Sequence, residues 1–292
     1  MTIVAMRNWA IVIASTFLTL AGFNHAHALE KWQIIQTPPP MPKPDHSGFA
    51  PVNGIEMYFA EYGKGDPILL VPIGMAASDM WSAQISALSN HHTVIVADSR
   101  GQGRSSRTEQ AITYELMAAD YLALLDYLNI AKVALVGASD GAIIGLDIAI
   151  HHPERLTKLF SQGANATPDG VYKDAADPTA SKEASKLWVT EYRKLSKTPD
   201  QYEILHKALN KMWDSEPQYT AQQLAGIRVP TAVVMCDHDE WIKPDHARYL
   251  AHTIPHATLI VLHDVSHYAA LQSPEAYARA VVQFVDGRNN AR

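Results

Sequence analysis

Short unbroken apolar runs alternate with stretches of helical periodicity from residue 49 almost to the end of the chain. Residues 67–72 (PILLVP), 93–97 (TVIVA), 133–136 (VALV) and 231–235 (TAVVM) are apolar at nearly every position. Such runs are expected of strands covered on both faces. Residues 55–62 (IEMYFAEY) instead alternate apolar and polar after the Asn53-Gly54 turn, which predicts a half-buried strand. A further strand is predicted at 258–262. Helical patterns fill the gaps at 80–88, 114–128, 142–150, 244–254 and 274–285. This alternation predicts an α/β fold, a mostly parallel central sheet with helices on both faces.

One stretch breaks the rhythm. Residues 167–226 are rich in charge and aromatics (Trp188, Tyr192, Tyr202, Trp213, Tyr219) and hold no strand-like run. They predict a helical cap inserted over one end of the sheet, between core segments 49–166 and 227–292. A cap is where substrate selection resides.

Upstream of the core the pattern changes twice. Arg7 precedes an apolar run at 9–23, followed by Ala26-His27-Ala28. This reads as a signal peptide over 1–28, cleaved after Ala28, with export to a periplasm or the medium. The other reading is an uncleaved anchor, but the run is shorter than the roughly 20 residues that span a bilayer core. Residues 29–48 read as a linker. Five of the seven positions from 38 to 44 are proline, which favours a stiff extended chain without a core. Trp32, Ile34 and Ile35, just before it, are candidates to pack on the domain surface.

Composition narrows the classes. Hydrophobic residues make up 47% of the 292, which excludes intrinsic disorder, and the lone Cys236 excludes a disulfide scaffold. With 24 Lys plus Arg against 30 Asp plus Glu, no sequence-independent grip on nucleic acid is expected.

The central chemical signal is Gly137-Ala138-Ser139-Asp140-Gly141, set between the strand VALV and a helical pattern. That is the context of a G-x-S-x-G nucleophile elbow, in which glycines permit a tight turn and close chain packing. Such a serine needs a base, and the base an orienting carboxylate. Two polar clusters follow later strands: Cys236-Asp237-His238-Asp239-Glu240 and His263-Asp264-Val265-Ser266-His267. His267 is read as the base and Asp239 as the acid, with His263 and Asp237 as competitors. Asp140 either caps the following helix or recognises a cationic substrate group. Met75 and Trp188 join it as candidate substrate contacts. The histidine pairs at 91–92 and 151–152 lack a zinc-site partner spacing.

Taken with Asp98-Ser99-Arg100-Gly101-Gln102-Gly103-Arg104-Ser105, which looks like a D-x-R-G-x-G-x-S turn, the chain from 49 to 285 resembles the α/β-hydrolase superfamily. The elbow, Asp239, and His267 ahead of Ser273-Pro274-Glu275 fall at positions similar to that family's nucleophile, acid and base. The SDG form is similar to members acting as small-molecule esterases. The resemblance implies a serine hydrolase with no metal or organic cofactor and a small-molecule ester as its partner. One departure stands out: Pro72-Ile73 occupies the place of the family's usual His-Gly. The resemblance then assigns the oxyanion hole to the backbone amides of Gly74 and Asp140. Carbon–carbon bond hydrolysis, cofactor-free perhydrolysis and non-enzymatic ligand binding are the alternatives.

Overall fold

The computed structural model describes residues 28–287. The leader read at 1–28 lies, Ala28 apart, outside the described residues. Among those described, no helix is long and apolar enough to cross a membrane.

Eight strands form one sheet: β1 (His46–Val52), β2 (Ile55–Tyr62), β3 (Asp66–Val71), β4 (His92–Ala97), β5 (Val133–Ala138), β6 (Leu156–Gln162), β7 (Thr231–Cys236) and β8 (Thr258–Leu262). Their order is β1-β2-β4-β3-β5-β6-β7-β8. β1 and β2 are a hairpin in which Val52 faces Ile55 across Asn53 and Gly54, both at positive φ. Turns of that hand match the twist of the strands they join. β2 also runs antiparallel to β4, and every other neighbouring pair is parallel.

Two strands depart from the sequence expectation. β1 begins at His46, so the linker ends three residues before its expected limit. β6 (LTKLFSQ) was not legible as an apolar run because Lys158 and three further polar residues, Thr157, Ser161 and Gln162, interrupt it. Lys158 sits in a central strand because its Nζ donates to the carbonyls of Phe284 and Val285, at 2.9 and 2.7 Å. Ser161 and Gln162 are buried at the strand end.

Helices α1 (Ser82–Leu88), α2 (Tyr114–Tyr127) and α3 (Asp140–His151) follow β3, β4 and β5. After β6 come α4 (Pro178–Leu195), α5 (Tyr202–Trp213) and α6 (Ala221–Gly226), then α7 (Pro244–Thr253), α8 (Ala269–Gln272) and α9 (Pro274–Asp286). α3 packs on α2, β5 and β6, while α1 packs on α9. Trp81, Tyr277 and Phe160 pack in series beside that second pair, tilted and then edge-on, with ring centroids 5.7 and 5.6 Å apart. Residues 167–226 contain α4, α5 and α6. They are pinned to the core by Tyr219, whose hydroxyl donates to Asp147 of α3 at 2.9 Å.

The order places β4 on one side of β3 and β5 on the other. The chain therefore reverses its direction of winding at β3, and ligands in open α/β sheets bind at the carboxyl ends of strands flanking such a reversal. Gly74 follows β3 and Ser139 follows β5.

Candidate active site

Ser139 occupies the sharp turn between β5 and α3, at φ +52° and ψ −117°. A non-glycine residue held at such angles is strained, and the surroundings must enforce the turn. Here they do so by contact. A Cβ on Gly137 would strike the Gly141 carbonyl, and one on Gly141 the Val71 carbonyl. The Ser139 amide donates to Gln162 of β6 at 2.8 Å, and the serine keeps partial solvent access.

Ala138 and Gln162 are paired across β5 and β6, so Ser139 and Gly163 leave the sheet at the same level. The His267 ring lies beside Gly163, where a Cβ would sit 2.9 Å from its Cε1. His267 Nδ1 is 3.0 Å from both Asp239 oxygens, and both side chains are almost fully buried. The Trp241 and Ile242 amides donate to Asp239 Oδ1, at 3.0 and 2.9 Å, and fix that carboxylate. With Nδ1–H directed at a carboxylate, Nε2 is left as the proton acceptor. Burial lowers the affinity of His267 for a proton. The charge and hydrogen bond of Asp239, with Glu240 and Asp140 nearby, outweigh it and hold its pKa above the ordinary histidine value.

The geometry also separates the competitors. Asp237 faces His263 at 3.2 Å, and it accepts from the amides of Asp264 and Val265. It therefore ties the two loops together at the surface, away from His267. Asp237, His238 and Asp264 can bring one ligand atom each within 4.8 Å of one another. All three are exposed.

Asp140 does not cap α3 with its side chain. Its Oδ1 accepts from Tyr114 Oη at 2.8 Å and from Trp213 Nε1 at 2.9 Å. Burial pushes its pKa up to about 6, against the lowering effect of those two hydrogen bonds and of His267. Gly74 lies against this group: a Cβ there would come within 2.5 Å of Asp140 Oδ2 and 2.7 Å of the Trp213 ring. Any side chain at Gly74, directly after Pro72-Ile73, would have to displace Asp140 or Trp213. Met75 follows at φ +68° and is buried. Trp188 is buried in the hydrophobic core, and the indole that reaches Asp140 is Trp213 instead.

The loop carrying Gly74 is held from below. Asp98 accepts from the Ser78 amide and hydroxyl at 2.7 and 2.6 Å, and from the Arg104 amide at 2.7 Å. Arg100 makes a buried two-pronged pair with Asp120, at 2.8 and 2.7 Å. Through Asp98 the motif from Asp98 to Ser105 thus anchors the segment that follows Gly74.

Sequence reasoning missed Tyr114 and Glu240. Nothing marks Tyr114 in its helical pattern. Glu240 stood in a polar cluster without a role. It is buried, and it accepts the His267 amide at 3.0 Å and the Ser181 hydroxyl of α4 at 2.9 Å. Burial is the main cause of its raised pKa. Cys236, the last residue of β7, is buried, and burial pushes its thiol well above the usual range.

Comparison with known proteins agrees with this architecture. A family model described as the alpha/beta hydrolase fold matches residues 66–185. The chain is 26% identical over 251 residues to the 3-oxoadipate enol-lactonase 2 of Acinetobacter baylyi, across 78% of this chain and 92% of that one. It is 23% identical over 265 residues to the 2-hydroxy-6-oxo-6-(2'-aminophenyl)hexa-2,4-dienoic acid hydrolase of Metapseudomonas resinovorans, across 82% and 91% of the two chains. The crystal structure of an enol-lactonase from Burkholderia xenovorans LB400 superposes with a TM-score of 0.65 at 23% identity, covering 82% of this chain and 100% of that one.

Proposed function

We propose that this chain is a serine hydrolase of the α/β-hydrolase superfamily that cleaves small or medium carboxylic esters through an acyl-enzyme on Ser139. The observation that carries this reading is the Asp239–His267 pair, closed at 3.0 Å and set beside the level at which Ser139 leaves β5. Ser139 attacks the carbonyl carbon as His267 Nε2 takes its proton. Asp239 fixes the tautomer and stabilises the imidazolium. The amides of Gly74 and Asp140 receive the developing oxyanion. The imidazolium then protonates the leaving alcohol, and water repeats the sequence to release the acid. No step calls for a metal or organic cofactor.

The cap at 167–226 favours an enclosed pocket over an open groove, hence esters of limited size. Export after cleavage at Ala28 would place this activity in a periplasm or outside the cell. A second reading, hydrolysis of a carbon–carbon bond in a diketone by the same three residues, draws on the likeness to the Metapseudomonas enzyme, whose name describes such an acid.

The test compares the parent with Ser139→Ala on p-nitrophenyl esters with acyl chains of graded length. The expected result is turnover in the parent and a fall of about 10³-fold or more in the variant. Turnover of a vinylogous diketone but of no ester would favour the second reading. Ester turnover that survives Ser139→Ala would overturn both.

A further inference from the structure

The residues before β1 make contacts that a passive leader would not. Lys31–Gln33 form a single 3-10 turn, closed at its start by a reciprocal Glu30–Gln33 capping arrangement. The Trp32 ring stacks on His238, with centroids 4.5 Å apart and planes 5° from parallel. The Trp32 carbonyl accepts from Gln272 Nε2 at 2.6 Å, and Gln272 Oε1 accepts the Ser266 amide at 2.7 Å. His238 immediately precedes Asp239, and Ser266 immediately precedes His267. One residue of the turn therefore reaches the chain neighbour of each member of the pair.

A third link runs through the cap. Gln33 Nε2 donates to Asp177 Oδ2 at 2.8 Å, and Asp177 caps the start of α4 through the Thr179 amide. Ser181, in the first turn of α4, donates to Glu240, which accepts the His267 amide.

The proline-rich segment explains how the turn gets there. β1 is at one edge of the sheet and β7, which leads into His238, lies six strand spacings away. At about 4.8 Å per spacing that is roughly 29 Å. The thirteen steps from Gln33 to His46 reach about 40 Å as polyproline chain at 3.1 Å per residue, but only about 20 Å as helix. Only an extended segment makes the crossing, and Ile35 and Met41 pack on the core along it.

We propose that residues 30–35 are a strap that positions the Asp239–His267 pair, with Trp32 as its anchor. This rests on the catalytic reading above. Trp32 touches no reacting atom, so it is a positioning residue. Its side chain is half-buried and lies outside the sheet.

The test uses the full chain with Trp32→Ala and Trp32→Phe. Amide hydrogen exchange is followed at residues 236–241 and 263–268, with β3 and β5 as internal references, and kcat and KM are measured on the best p-nitrophenyl ester. Trp32→Ala is expected to speed exchange about tenfold in both loops and in neither reference strand. It is expected to lower kcat about tenfold with KM within about twofold, since small misplacement of catalytic groups is costly. Trp32→Phe, which keeps an aromatic face for His238, recovers most of both. Unchanged exchange in the two loops overturns the proposal, and so does faster exchange with kcat intact. A parent without Ser139-dependent turnover defeats the catalytic reading instead. Exchange then decides by itself whether the strap orders the two loops.

Discussion

Replacing Asp239 with asparagine tests the electrostatic centre of the site. The side chain keeps its shape, and the carboxylate charge beside Nδ1 is lost at 3.0 Å. At that distance, with an effective dielectric of about 20, a carboxylate and an imidazolium attract by about 5.5 kcal/mol. At 1.36 kcal/mol per decade this is about four orders of magnitude in rate, so kcat/KM is expected to fall by about 10³ to 10⁴. The pH profile should move too. In the parent, His267 must be neutral to act as base. Its pKa is raised, with Asp239 the largest cause opposing burial, so activity rises with pH through that raised value. In Asp239→Asn the main raising influence is gone while burial remains. The acid limb then shifts to lower pH, and the gap between parent and variant narrows as pH falls. Asp237→Asn is the control, because its carboxylate faces exposed His263 and not His267. It should stay within about threefold of the parent, as expected for an exposed pair. Initial rates on one ester from pH 5 to 9 decide the matter. A larger loss in Asp237→Asn, or a gap that widens at acid pH, would refute the reasoning.

Two stability predictions follow from buried charge. Burial, with Asp79 nearby, lifts the Glu191 pKa from 4.5 to about 7, and one of its oxygens is buried without a hydrogen-bond partner. The native state then holds a proton that the unfolded chain has released, so this group lowers stability as pH rises from 4.5 through about 7. Glu191→Gln should raise Tm by about 3–6 °C at pH 8 and leave it unchanged at pH 4, read by scanning fluorimetry. Asp120→Ala strands Arg100, whose side chain is 1% exposed. Breaking such a pair costs about 3–5 kcal/mol, so urea unfolding should show a loss of that size.

The sheet was legible wherever burial imposes one composition. β3, β4, β5 and β7 read as apolar runs because both faces are covered, and the elbow read clearly because close packing around the turn leaves no room for a Cβ at 137 or 141. β6 was hidden because Lys158 finds its carbonyls more than a hundred residues away, at the end of α9. The roles of Tyr114, Glu240 and Trp32 were illegible for the same reason: each depends on a partner that only the folded chain brings near. Asp237 and Asp239 share one loop and one chemistry, so spacing could favour one of them but only the position of the His267 ring separates them. Asp140, read as either a helix cap or a cation-recognising group, has its side chain claimed by Tyr114 and Trp213, two hydrogen-bond donors distant in sequence.

The lone thiol offers a clock. Cys236 ends β7 one residue before the acid loop, with its thiol sealed from solvent and held protonated. A thiol reagent in excess can therefore mark the chain only in those moments when this end of the sheet parts. The rate of marking, followed as denaturant is raised from zero, would time that opening without any introduced probe. A rate that rises only with global unfolding means the acid loop opens with the whole domain, whereas a rate independent of low denaturant means it opens on its own.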